Sequence, residues 1–90
     1  ALFLMVLHTF NSPEAFASHN QSTAFGDQLL LIEDGVFCLA DKAFNPPAGL
    51  LALKEDLELR GITPVHTVEL ISYKQWVSLV VQNQHTLTWT

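Results

Sequence analysis

Leu29-Leu30-Leu31-Ile32-Glu33-Asp34-Gly35 is the stretch on which the fold turns. Four apolar residues follow one another without alternation, and then two carboxylates and a glycine break the run. A strand with one face in water alternates apolar and polar side chains, whereas an unbroken run needs both faces covered. Such coverage marks a parallel sheet with helices packed above and below. In open sheets of that kind, ligands and partners dock at the carboxyl ends of the strands, and Glu33, Asp34 and Gly35 stand at such an end. The stretch predicts an α/β domain with a polar strand end.

Working outward, strand one is expected over Leu2 to Thr9. Asn11-Ser12-Pro13-Glu14 then opens a helix, with Ser12 as N-cap, Pro13 at the first helical position and Glu14 near the positive dipole end. That helix is expected to close near Phe25, with Gly26 as the left-handed terminator. Strand two is Gln28 to Glu33, followed by a short helix from Gly35 to Asp41. Phe44-Asn45-Pro46-Pro47-Ala48-Gly49 is turn chemistry. Strand three, Leu50 to Leu53, runs straight into a short helix with early carboxylates, a late Arg60 and Gly61 beyond. Strand four is Val68 to Ile71. Ser72 caps a last helix, on which Trp76, Leu79, Val80 and Asn83 share one face, and Thr86 to Trp89 is the final strand. Connections this short suit a three-layer, mostly parallel five-stranded sheet forming one domain over residues 1–90.

Composition narrows the function classes. The chain is 49% hydrophobic and 14% charged over 90 residues, with a mean hydropathy of +0.26. A domain of this size hides such an apolar excess poorly, so a subunit interface is expected, with self-association when the chain is isolated. Nine acidic side chains against four basic ones give a net charge of −5. Direct nucleic-acid binding rests on clustered Lys and Arg, so it is not expected. A single cysteine, Cys38, excludes an internal disulfide framework and a cysteine-cluster metal site, and it fits a reducing, cytoplasmic setting. The opening Ala1 to Leu7 is too short to span a bilayer and lacks a basic leader. Met5 reads as an initiator, with residues 1–4 an upstream extension.

Several landmarks in order carry a family likeness: Leu7-His8-Thr9, Ser12-Pro13, Gly26-Asp27, Leu31-Ile32-Glu33-Asp34-Gly35-Val36, Leu53-Lys54-Glu55-Asp56-Leu57 with Arg60-Gly61, and Thr88-Trp89. In this the chain resembles the DsrH/TusB family, from Met5 to Thr90. The resemblance implies a small cytoplasmic DsrE/F/H-like α/β subunit. It implies TusC/DsrF-like and TusD/DsrE-like partners in a heterohexamer. In the Tus branch that assembly relays persulfide sulfur toward 2-thiouridine at the tRNA wobble position, and in the Dsr branch it serves sulfur oxidation. The resemblance also assigns the principal sulfur-carrying cysteine to the TusD-like partner. Sulfur-oxidising relatives place a cysteine in the first helix, where this chain has His19, so the chain leans toward the tRNA-thiolation branch.

The candidate residues divide between chemistry and structure. Cys38 near a helix start is a candidate persulfide carrier, set against a packed thiol where the family has a small residue; the packed reading is favoured. His8, expected at the end of strand one, is weighed as a group poising a thiolate against a hydrogen-bonded structural histidine. Together with Glu33 and Asp34 it suggests acid–base or metal chemistry, against which Asp34 accepting backbone N–H bonds at the next helix start is the structural alternative. Glu55, Asp56 and Glu58 read as a solvated face. Trp76 and Trp89 are interface anchors or core. No glycine-rich phosphate loop is present, and neither cofactor nor metal is expected. A subunit without catalysis of its own is the preferred reading. A Cys38 carrier and a small-ligand module around Asp34 are the rivals.

Overall fold

The computed structural model describes residues 6–24, 26–83 and 85–90. Five strands, β1 (Val6–Phe10), β2 (Gln28–Leu31), β3 (Leu51–Leu53), β4 (Glu69–Ile71) and β5 (His85–Trp89), form one sheet in the order β4-β3-β2-β1-β5. Every pairing is parallel, as the unbroken apolar run requires. The chain steps outward from β1 to β4 and then returns to the far side of β1. With right-handed crossovers, that reversal moves the last helix to the opposite face.

The cores follow this logic. On one face Phe10, Leu29, Leu31 and Ala52 meet Phe16 of α1 (Pro13–His19), Val36 and Leu39 of a 3-10 segment (Glu33–Ala40), and Leu57 of α2 (Lys54–Leu59). On the other, Leu7, Leu30, Ile32, Leu51, Leu53 and Ile71 meet Trp76 and Leu79 of α3 (Tyr73–Gln82). Leu29, Leu30, Leu31 and Ile32 thus divide two and two between the cores. Burying a Leu or Ile side chain stabilises a fold by about 1.5–3 kcal/mol, so this tetrapeptide is a main anchor of both layers.

Capping follows the sequence where the sequence was explicit. The Ser12 hydroxyl accepts the Ala15 N–H at 3.0 Å, with Pro13 in the first turn. Ser72 and Gln75 form a reciprocal capping box at the start of α3.

The boundaries differ in instructive ways. β1 continues to Phe10 because Phe10 is paired on both sides, with Leu31 and with Trp89; its expected start at Leu2 lies outside the described residues. α1 ends at His19, not near Phe25, and tightens into a 3-10 turn over Asn20–Ser22. The Asn20 side chain donates to the Phe16 and Ala17 carbonyls, the local competition by which Asn ends helices. Phe25 lies outside the described residues, and Gly26, at φ +92°, turns the loop before β2. The segment expected as a helix from Gly35 to Asp41 is 3-10 and begins at Glu33. β2 stops at Leu31 and not at Glu33.

Candidate functional site

The carboxyl ends of β2 and β3 meet in a small polar cluster. Ile32 donates its N–H to the Phe10 carbonyl at 3.1 Å, and Gly35 then folds over the same carbonyl so closely that a Cβ would overlap its oxygen. Turning the chain this tightly drives Glu33 to φ +49°, a left-handed conformation uncommon for a non-glycine residue. The Glu33 N–H donates to Asp56 Oδ2 at 2.7 Å. Asp56 Oδ1 accepts from Arg60 Nη1 (3.4 Å) and from the Tyr73 hydroxyl (3.3 Å), while Arg60 Nε donates to Asp34 Oδ1 at 2.9 Å. The Asp56 charge, with burial and its hydrogen bond adding to the effect, pushes the Tyr73 phenol above its usual range.

Two expectations are corrected here. Asp56 does not belong to a solvated face: it is 4% exposed and joins α2 to the β2 end and to the start of α3. Asp34 is exposed and pairs with the Arg60 side chain, and the backbone N–H at this turn goes to Asp56 instead. Asp56, Arg60 and Tyr73 join the site only in the folded chain. The i, i+4 spacing of Asp56 and Arg60 was the one available signal.

A second polar group lies at the β1–β5 pair. His8 sits in the middle of β1, not at its end, and is 2% exposed. Trp89 Nε1, which can only donate, gives its proton to His8 Nδ1 at 3.0 Å. That assigns the imidazole proton to Nε2, which donates to Asp27 Oδ2 at 2.8 Å. The same Asp27 oxygen accepts the Ala24 N–H at 2.9 Å. Burial pulls the Asp27 carboxyl upward, but the Ala24 and His8 donors outweigh it and leave the group below its ordinary value. His19 stacks on Trp89 with ring centroids 4.5 Å apart. Both His8 nitrogens are therefore occupied, and neither is free to take a proton from a reacting group.

Cys38 belongs to neither cluster. It is the sixth residue of the 3-10 segment, 5% exposed, in the core with Phe16, Val36 and Leu39. Burial, reinforced by the charges of Asp41 and Glu14 and opposed by a backbone hydrogen bond, pushes its thiol up to about 11. Trp76 lies half-buried under α3, its indole Nε1 without a hydrogen-bond partner among the described residues. A cleft of about 330 Å³ lies between α3 and the starts of β2, β3 and β4, lined by Gln28, Glu69, Gln75 and Gln82 over Leu51 and Leu79. Among the described residues no three His, Cys, Asp or Glu side chains gather as a metal site. No helix among them is long and apolar enough to cross a membrane.

Residues 11–86 match the family described as "DsrH like protein". The chain belongs to the DsrH family. It is 40% identical over 75 residues to "Protein TusB" of Serratia proteamaculans (strain 568), covering 74% of this chain and 79% of that one. It is 35% identical over 95 residues to "Protein TusB" of Escherichia coli (strain K12), covering 93% and 100%. Among solved structures, protein Tm0979 from Thermotoga maritima superposes with a TM-score of 0.65 at 26% identity, covering 87% and 93%. The ychN protein of E. coli superposes with a TM-score of 0.64 at 14% identity, covering 96% and 99%, a likeness of fold alone. This chain is thus a small α/β domain with a five-stranded, wholly parallel sheet, similar in fold to both proteins.

Proposed function

We propose that this chain is a noncatalytic subunit of a TusBCD-like sulfur-relay complex, which passes persulfide sulfur toward 2-thiouridine at the tRNA wobble position. It works in the cytoplasm as part of a heterohexamer with TusC/DsrF-like and TusD/DsrE-like subunits. The observation that carries this reading is the setting of Cys38. A sulfur carrier needs an accessible thiolate, and the sequence's only thiol is packed in the core with its proton firmly held. The cysteine that carries sulfur then belongs to the TusD-like partner, and this chain supplies scaffold and contact surface. Membership of the DsrH family and 35–40% identity to proteins named TusB support the assignment to such a complex. A net charge of −5 fits a subunit that leaves tRNA contact to others.

A role in sulfur oxidation, as a DsrH-type subunit, is the second reading. His19 weighs against it, because it stacks on Trp89 at the place where a cysteine is expected in that branch. Coexpression with the TusC-like and TusD-like proteins of the same organism tests the assembly. The expected result is one co-purifying species of heterohexamer mass, with the isolated chain self-associating or poorly soluble. A chain that stays monomeric and ignores both partners contradicts the reading.

A further inference from the structure

The cleft beside α3, with a volume of about 330 Å³, has the size of a small-ligand site and an aliphatic floor of Leu51, Ile71 and Leu79. Hydrogen bonds already made decide what its polar walls have left to offer. Asn83 Nδ2 donates to the Leu79 carbonyl, which can only accept, so the Gln28 atom it meets at 2.8 Å is the amide oxygen. Gln28 therefore keeps its NH2 group for the cleft. Gln75 is fixed in the same way, because its oxygen accepts the Ser72 N–H at 2.8 Å in the capping box. The Ser78 hydroxyl donates to the Lys74 carbonyl, and its lone pairs are left to accept. Glu69 lines the same cleft, and no ion pair among the described residues takes its carboxylate.

That inventory selects a class of ligand. The lining holds a carboxylate and no Lys, Arg or His, on a chain of net charge −5, so it repels phosphates and carboxylates and draws in a cation. It holds no aromatic ring, so a nucleobase has nothing to stack on. Two NH2 groups call for carbonyl oxygens, and the floor calls for an apolar side chain. The register adds a length. Glu69 pairs with Leu51, and Leu51 with Leu30, two residues beyond Gln28. Glu69 and Gln28 thus stand two strands apart, about 10 Å across the sheet, which is the span of about three extended residues. We propose that this cleft captures the amino terminus of an extended peptide. The ammonium meets Glu69, the first carbonyls accept from the Gln28 and Gln75 amides, a peptide N–H reaches Ser78, and an apolar side chain rests on the floor. The sulfur-relay reading makes no use of this cleft, so either can fail without the other.

Binding of short peptides to the full chain, immobilised on a biosensor, tests the site. The probes are alanyl-valyl-leucinamide with a free amino terminus and its N-acetylated twin, which keeps every carbonyl and side chain but loses the charge. The free amine is expected to bind at least about tenfold more tightly, the worth of a hydrogen bond to a charged group. Glu69 is exposed, so Glu69→Gln keeps the native fold and its circular dichroism, and it should erase the difference between the two peptides. Glu58→Gln removes an equal charge on the exposed surface of α2, outside the cleft, and should leave the difference in place. Ser78→Trp, which fills the cleft from an exposed position on α3, should abolish binding of both. A chain that binds neither peptide overturns the proposal. So does equal binding of the two, or a preference that falls as much with Glu58→Gln as with Glu69→Gln, which would mean attraction to net charge alone.

Discussion

Gly35 shows how a single residue can decide the polar strand end. The sequence marks it as the break after an apolar run, but the reason for a glycine lies 25 residues away in sequence, at the Phe10 carbonyl oxygen over which it folds. Only the folded sheet brings the two together, so that requirement was not legible beforehand. Backbone, unlike a flexible side chain, cannot swing aside. Gly35→Ala is therefore expected to destabilise the chain by at least about 2 kcal/mol, the range of overpacked core substitutions, as read from the urea midpoint at unchanged slope. Gly61→Ala, where no atom stands in the way, should cost only the strain of its φ of +63°, about 1–2 kcal/mol. His8 makes the complementary point. Its chemistry reads as open to catalysis until both nitrogens are found occupied, by Trp89 at the far end of the chain and by Asp27.

At the scale of elements, the strands were legible because burial on both faces leaves a direct signature in Leu29 to Ile32. The helices were legible at their capped starts, where Ser12 and Ser72 act within three residues. Their ends and their buried charges were not. Lys54-Glu55-Asp56-Leu57-Glu58 has the composition of a solvated helix, and Asp56 and Glu58 each have a basic residue four positions away, so the i, i+4 spacing alone does not separate them. The difference comes from elements that arrive later, since Asp56 receives the strained Glu33 N–H and the Tyr73 hydroxyl, while Glu58 meets Lys54 at 4.0 Å on the surface. Asp56→Ala removes the acceptor of the Glu33 N–H and of the Tyr73 hydroxyl, while the Arg60 guanidinium keeps Asp34. It is expected to cost about 1–3 kcal/mol, whereas Glu58→Ala should stay within about 0.5 kcal/mol of wild type. Parallel urea titrations of the two variants check this. Equal effects would mean that the carboxylate does not tie α2 to the β2 end.

Across the whole molecule, the landmarks that carry the family resemblance resolve into two polar ties, apart from Ser12-Pro13, which caps α1. Leu7-His8-Thr9, Gly26-Asp27 and Thr88-Trp89 supply the His8–Asp27–Trp89 group, and Glu33-Asp34-Gly35, Asp56 and Arg60 supply the other. Six short pieces scattered along the sequence thus hold the β1–β5 side and the carboxyl end of β2. This explains why they appear together, and it gives them a structural use that needs no chemistry of their own. Cys38 stands apart from both ties, in the core. The central claim, a sulfur-relay subunit that carries no sulfur itself, is tested most directly by mass. The assembled complex, wild type and Cys38→Ala, is exposed to a persulfide donor, and each subunit is weighed by native mass spectrometry. The account predicts one added sulfur on the TusD-like subunit alone, with relay nearly unchanged in Cys38→Ala. A gain of one sulfur on this chain, lost in Cys38→Ala together with relay, would contradict it.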